Sequence, residues 1–72
     1  MDRDEKLAII AEILEMDADE LEEDMMLDDF DTWDSVAVLS VIAMMDEKFG
    51  KYPHASEIRQ YIKVIDLMNS ME

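Results

Sequence analysis

Asp34 and Ser35 stand side by side where an acid-rich stretch runs into the most apolar segment of the chain, and no other pair is better placed for chemistry. A serine at the junction of a loop and a helix presents its hydroxyl at the surface. A phosphodiester formed there would lie beside amides that no helical carbonyl reaches, at the positive end of the helix dipole. Serine is also common as a plain helix N-cap, and local sequence by itself leaves Ser35 with that structural role. Hydrolysis fits poorly. The chain has no Gly-x-Ser-x-Gly elbow, and His54, its one histidine, follows Pro53 with no evident link to Ser35. A solvated surface imidazole is the expected state of His54. Asp29, Asp31 and their neighbours resemble the start of a calcium loop, but Trp33, Asp34 and Ser40 stand where that motif wants an acid or amide, a glycine and a glutamate. No specific metal site and no catalytic residue are therefore expected, and the chain reads as a non-enzyme.

These residues must be positioned by helices. Leu7, Ile10, Ala11 and Leu14 recur at helical spacing in a first helix over about 4–16, with Asp2, Asp4 and Glu5 at the end where the dipole favours negative charge. Residues 35–49 form a second helix by the spacing of Val38, Val41, Ile42, Met45 and Phe49, with Ser35 as its cap and Gly50 as its stop. The stretch 17–34 sustains neither period and reads as a long acidic loop, pinned to the core by Leu21, Met25, Leu27, Phe30 and Trp33. Beyond Pro53, Ser56 caps a short helix over about 56–62, and Asp66 opens a last one over about 65–71. The expected fold is an all-α bundle of four helices in a single domain spanning 1–72. The eight methionines are expected to fill a small adaptable core.

Outside its core stripe the second helix is still apolar. Val36, Ala37, Leu39, Ala43 and Met44 lie on its flanks and outer side, where Ser40 and Glu47 supply the polar atoms. A helix apolar nearly all round cannot be buried on every side in so small a protein, so part of it is expected to dock a partner.

Charge narrows the partners. Twenty acids against six bases give a formal net charge of -14, which repels nucleic acid and anionic membranes. Every base, from Arg3 and Lys6 to Lys48, Lys51, Arg59 and Lys63, lies outside residues 7–47, so the middle of the chain carries the excess. Partners should be basic. With no cysteine there is no disulfide and no thiolate site, which fits the cytosol. The chain shows neither a basic leader followed by an apolar run nor an apolar stretch long enough for a bilayer, so it is expected to be cytoplasmic.

The segment LDDFDTWDSVAVLSVIAMMDEKFG resembles the core of the acyl carrier protein family: an acidic loop, an Asp-Ser-hydrophobic motif, an apolar helix and a closing Phe-Gly. The likeness covers nearly the whole chain, because the first helix, the loop, the short third helix and the tail from Lys63 to Met71 follow in the family's order. It implies an acyl-carrier-like bundle in which Ser35 receives 4'-phosphopantetheine from coenzyme A, while Asp34 helps hold the magnesium that the transferase needs. The arm would hold an acyl or aminoacyl group as a thioester. The implied partners are a phosphopantetheinyl transferase and the loading, condensing and transfer enzymes that dock on Asp31, Val36, Ala37, Leu39, Ser40, Ala43, Met44 and Glu47. The carrier is expected to be a monomer.

Departures from the family pattern are informative. Val36 replaces the usual leucine after the serine. Ala37 and Ser40 stand where carriers of general fatty acid synthesis usually have acids, Ile65 stands where the family usually has glycine, and Trp33 before Asp34 resembles specialised and aminoacyl carriers. A dedicated pathway is the expectation, with an aminoacyl or peptidyl carrier as the variant within the class. The alternative from another class is an acidic helical interaction module without a prosthetic group.

Overall fold

The chain's first helix begins at Asp2, whose carboxylate accepts the Glu5 amide at 2.8 Å and so satisfies one of the amides a helix start leaves without a partner. Four α-helices follow in order: α1 (Arg3–Ile13), α2 (Ser35–Phe49), α3 (Ala55–Arg59) and α4 (Val64–Ser70). This computed structural model describes residues 1–71, and Glu72, the last residue of the expected domain, lies outside them. Among the described residues there is no strand, and the architecture is all-α.

The α2 boundaries match the expected 35–49, and Gly50 ends the helix at φ 65°, a left-handed conformation that glycine adopts without steric cost. The first helix stops three residues early. Glu15 takes φ 58°, Met16 donates to the Ala11 carbonyl at 3.0 Å and Glu15 to that of Glu12 at 3.2 Å, which closes α1 in a Schellman turn. No glycine marks this stop.

Two further expectations are corrected at the C-terminal end. The short helix covers Ala55–Arg59 rather than 56–62, and its N-cap is His54, not Ser56. The last helix starts at Val64. Asp66 is its third residue and reaches back to accept the amides of Lys63 at 2.9 Å and Ile62 at 3.0 Å. Asp66 thus secures the start of α4 from inside the helix.

All four helices send side chains to one core: Leu7, Ile10, Val41, Met45, Ile58 and Leu67 are all buried. Leu14, Leu21, Leu27 and Val64 join them from the helix ends and connections. Met44, Met45, Met68 and Met71 are buried, whereas Met1 and Met26 are exposed, so about half of the methionines carry out the core role expected of them. Ile42 and Phe49 are partly covered at the edge of the core.

The segment 17–34 is more structured than a plain loop. It contains two 3₁₀ turns, Ala18–Glu20 and Leu27–Asp29, and it is bonded to the end of the connection between α3 and α4 and to the first residues of α4. Leu27 donates to the Ile62 carbonyl at 2.9 Å, Val64 to that of Met25 at 3.0 Å and Ile65 to that of Glu23 at 2.9 Å. Met26 and Lys63 form an isolated antiparallel bridge within this ladder. Arg3 adds an ion pair to Glu23 from the start of α1. The radius of gyration is 10.9 Å, against about 11 Å for a folded chain of this length.

Candidate functional site

Ser35 is exposed and is the first residue of α2. The expected cap role belongs to its neighbour. Asp34 has the extended backbone of an N-cap, its Oδ1 accepts the Ala37 amide at 3.0 Å, and its carbonyl accepts the Val38 amide at 3.0 Å. Both residue types are good caps, and here Asp34 takes the position. The amides of Ser35 and Val36 then have no acceptor among the described residues. The Ser35 hydroxyl is left free of cap duty, beside two open amides at the positive end of a 15-residue helix.

A chain of contacts holds this junction. The Thr32 hydroxyl donates to the Leu14 carbonyl at 2.9 Å, tying the approach to Ser35 to the last turn of α1. Phe30 and Trp33 pack against the core on either side of Asp31 and Thr32, and Trp33 donates its amide to the Phe30 carbonyl at 3.1 Å. Asp34 donates its own amide to the Thr32 carbonyl at 3.0 Å. Ser35 therefore sits on a fixed pivot rather than a free loop.

The outer face of α2 is divided. Val36 is 68% and Leu39 63% exposed, and Ala43, Glu47 and Asp31 are exposed as well. Ala37 and Met44, expected on the docking face, are buried at 3% and 7% exposure, and Ser40 is half-buried. Their flank of α2 faces α1 across a groove. Ala37 and Met44 instead help form a groove of about 740 Å³ between the two helices, with Ile9 and Ile13 facing them from α1. Glu12, Glu15, Asp34 and Glu47 line the same groove, and Leu39 stands outside it.

Sequence reasoning missed the α1 wall of this groove and the anchoring hydroxyl of Thr32. The groove had a readable signal: Ile9 and Ile13 are one helical turn apart and lie off the stripe of Leu7, Ile10 and Leu14. The Thr32 contact spans eighteen residues and has no local signature.

His54 is exposed and serves as the backbone cap of α3, its carbonyl accepting the amides of Glu57 at 3.0 Å and Ile58 at 3.3 Å. Among the described residues no group of three or more His, Cys, Asp or Glu is gathered as for a metal ion, and no helix is long and apolar enough to cross a membrane. Comparison with family models, with curated proteins and with solved structures finds no match for this chain.

Proposed function

We propose that this chain is a carrier of the acyl carrier protein type, bearing a 4'-phosphopantetheine arm on Ser35 and delivering acyl or aminoacyl groups to partner enzymes as thioesters. The observation that carries the reading is the placement of Ser35: exposed, released from capping by Asp34, and next to two open amides at the start of α2. Those amides and the helix dipole suit a phosphodiester, so the chain's own groups fit the prosthetic group. The neighbouring carboxylate of Asp34 opposes the diester's charge, which fits a loading step carried out with magnesium by a separate transferase.

In that loading step the Ser35 Oγ bonds to the phosphorus next to the pantetheine of coenzyme A. The pyrophosphate P–O bond breaks, adenosine 3',5'-bisphosphate leaves, and the hydroxyl proton passes to a base of the transferase. The bound arm supplies a thiol, which the cysteine-free chain lacks. The chain itself supplies position and charge. The Thr32 anchor and the Asp34 cap hold the attachment point at one place on the bundle. An attachment point held this way would raise the effective concentration of a cargo carried on it at whichever enzyme is docked.

Docking draws on Val36, Leu39 and Ala43, whose apolar side chains are exposed beside Ser35, and on Asp31 and Glu47. The carboxylates steer the carrier onto basic surfaces with salt-sensitive affinity, which lets it leave again. The four-helix arrangement with its bonded acidic connection agrees with an acyl-carrier-like bundle. A dedicated pathway follows from the residues at 37 and 40, where Ala37 is buried and Ser40 offers no charge.

The test is the intact mass of the wild type and of Ser35→Ala after incubation with coenzyme A, magnesium and a broad-specificity phosphopantetheinyl transferase. The wild type gains one arm and the variant none. No gain on the wild type would favour an acidic interaction module without a prosthetic group, a reading supported by the same exposed Val36 and Leu39.

A further inference from the structure

We propose that Met25 and Met26 form a methionine-oxidation site, through which hydrogen peroxide unfastens the acidic segment 17–34 from the start of α4. The chain has no cysteine, so its eight thioethers are the sulfur atoms that an oxidant meets. Burial sorts them. Met44, Met45, Met68 and Met71 lie in the core, Met1 and Met26 are exposed, and Met16 and Met25 are partly buried against the core. Met1 precedes the cap of α1, and Met16 follows its last turn. Met25 and Met26 stand in the ladder that fastens the acidic segment. The Met25 carbonyl accepts the Val64 amide at 3.0 Å, Met26 bridges to Lys63, and Leu27 donates to the Ile62 carbonyl at 2.9 Å.

The oxidation needs no group of the protein beyond the thioether. A sulfur lone pair bonds to one peroxide oxygen and the O–O bond breaks. The departing hydroxide takes the proton of the new S–OH group as water, so sulfur is oxidised to a sulfoxide and peroxide is reduced. Charge selects the oxidant. Glu22, Glu23, Asp24, Asp28 and Asp29 flank the pair in sequence and repel anionic oxidants, whereas hydrogen peroxide is neutral. At exposed Met26 the sulfoxide meets water and the fold is unchanged. At Met25 the same polar oxygen is put against the apolar cluster, and the side chain must turn outward to be solvated.

That anchor matters because the segment works against its own charge. Residues 7–47 contain no base, and Arg3 reaches the segment in a surface pair with Glu23. Leu21 and Leu27 hold the same stretch to the core with side chains that peroxide does not convert, and Met25 between them carries the oxidisable sulfur. With Met25 turned outward, repulsion among the flanking carboxylates opens the ladder locally.

The test exposes the intact protein to graded hydrogen peroxide and follows each methionine by peptide mass mapping and each ladder amide by hydrogen exchange. Met1 and Met26 should take up oxygen first, Met25 next, and Met44, Met45, Met68 and Met71 last. Exchange at Leu27, Val64 and Ile65 should accelerate about tenfold once Met25 is oxidised, with Val41 and Met45 in α2 unchanged. Methionine sulfoxide reductases should restore the slow exchange. Met25→Leu keeps an apolar anchor without sulfur and should abolish the acceleration although Met26 is still oxidised, while Met16→Leu should leave it in place. Oxidation of Met25 no faster than that of Met45 or Met68, or unchanged ladder exchange in wild type oxidised at Met25, would overturn the proposal. So would acceleration that persists in Met25→Leu. No arm on Ser35 enters, so failure here leaves the carrier reading standing, and failure of Ser35 loading leaves this proposal standing.

Discussion

The Asp34 carboxylate accepts the Ala37 amide at 3.0 Å, and this bond places Ser35 inside the first turn of α2 instead of at its cap. The two adjacent residues divide the work of the junction. Asp34 fixes the helix start, and Ser35 keeps its hydroxyl at the surface.

Removing that cap should be felt as stability and retaining it should not. Asp34→Ala is expected to cost about 1 kcal/mol, lowering Tm by roughly 5 °C in a domain of this size. Asp34→Asn keeps an acceptor for the Ala37 amide and should stay close to wild type in Tm, while on the proposed carrier reading loading of Ser35 should slow because the charge is gone. Thermal melts and transferase kinetics on the two variants separate capping from the proposed part of Asp34 in loading. Equal destabilisation by both changes would contradict the division of roles.

Glu15 occupies a left-handed position at φ 58° where glycine is the residue of least strain. Glu15→Gly should therefore stabilise the chain by about 1 kcal/mol, after allowing for glycine's greater freedom when unfolded. Chemical denaturation measures it as a higher midpoint at unchanged slope. A lower midpoint would mean that the Schellman turn gains nothing from glycine and that the glutamate side chain supports the fold in another way.

Asp66 has its carboxyl held below the ordinary 3.8, chiefly by the Lys63 amide, then by the Ile62 amide, with the Lys63 charge adding to it and partial burial opposing. A depressed folded value means that the ionised carboxylate stabilises the fold above the unfolded value. That contribution is lost as pH falls through the lower folded value. The stability difference between wild type and Asp66→Ala should thus be level above about pH 4 and shrink steadily below it. A difference that grows on acidification would reverse the sign and refute the assignment.

Salt should stabilise the protein. The exposed pair of Arg3 and Glu23 is weakened by added salt, but such pairs contribute only about 0–1 kcal/mol. Repulsion among the carboxylates between Glu12 and Asp34 is opposed by no base in that interval and is screened at the same time. Tm should rise with sodium chloride and rise further with magnesium at equal ionic strength. A flat or falling Tm would show that the ladder between residues 23–27 and 62–65 dominates the behaviour of this segment.

Local pattern carried α2 and the core stripe of α1, because Val38, Val41 and Met45 and Leu7, Ile10 and Leu14 announce their buried faces by spacing alone. It misplaced the cap because Asp34 and Ser35 are equally suited to it, and neighbour identity does not rank them. The end of α1 was hidden because the left-handed stop is a glutamate. Ala37 and Met44 fall on the flanks and outer side of a helical wheel of α2, and the wheel does not show where α1 lies. The Met26–Lys63 bridge and the Thr32–Leu14 contact join residues far apart in sequence, and no local pattern encodes them.

The most direct measurement is the location of the arm. After loading with coenzyme A and magnesium, fragment mass spectrometry of the proteolysed chain distinguishes Ser35 from Ser40, Ser56, Ser70 and Thr32. The carrier reading predicts one 4'-phosphopantetheinyl group, on Ser35 alone. An unmodified Ser35, or an arm on any other hydroxyl, would contradict it.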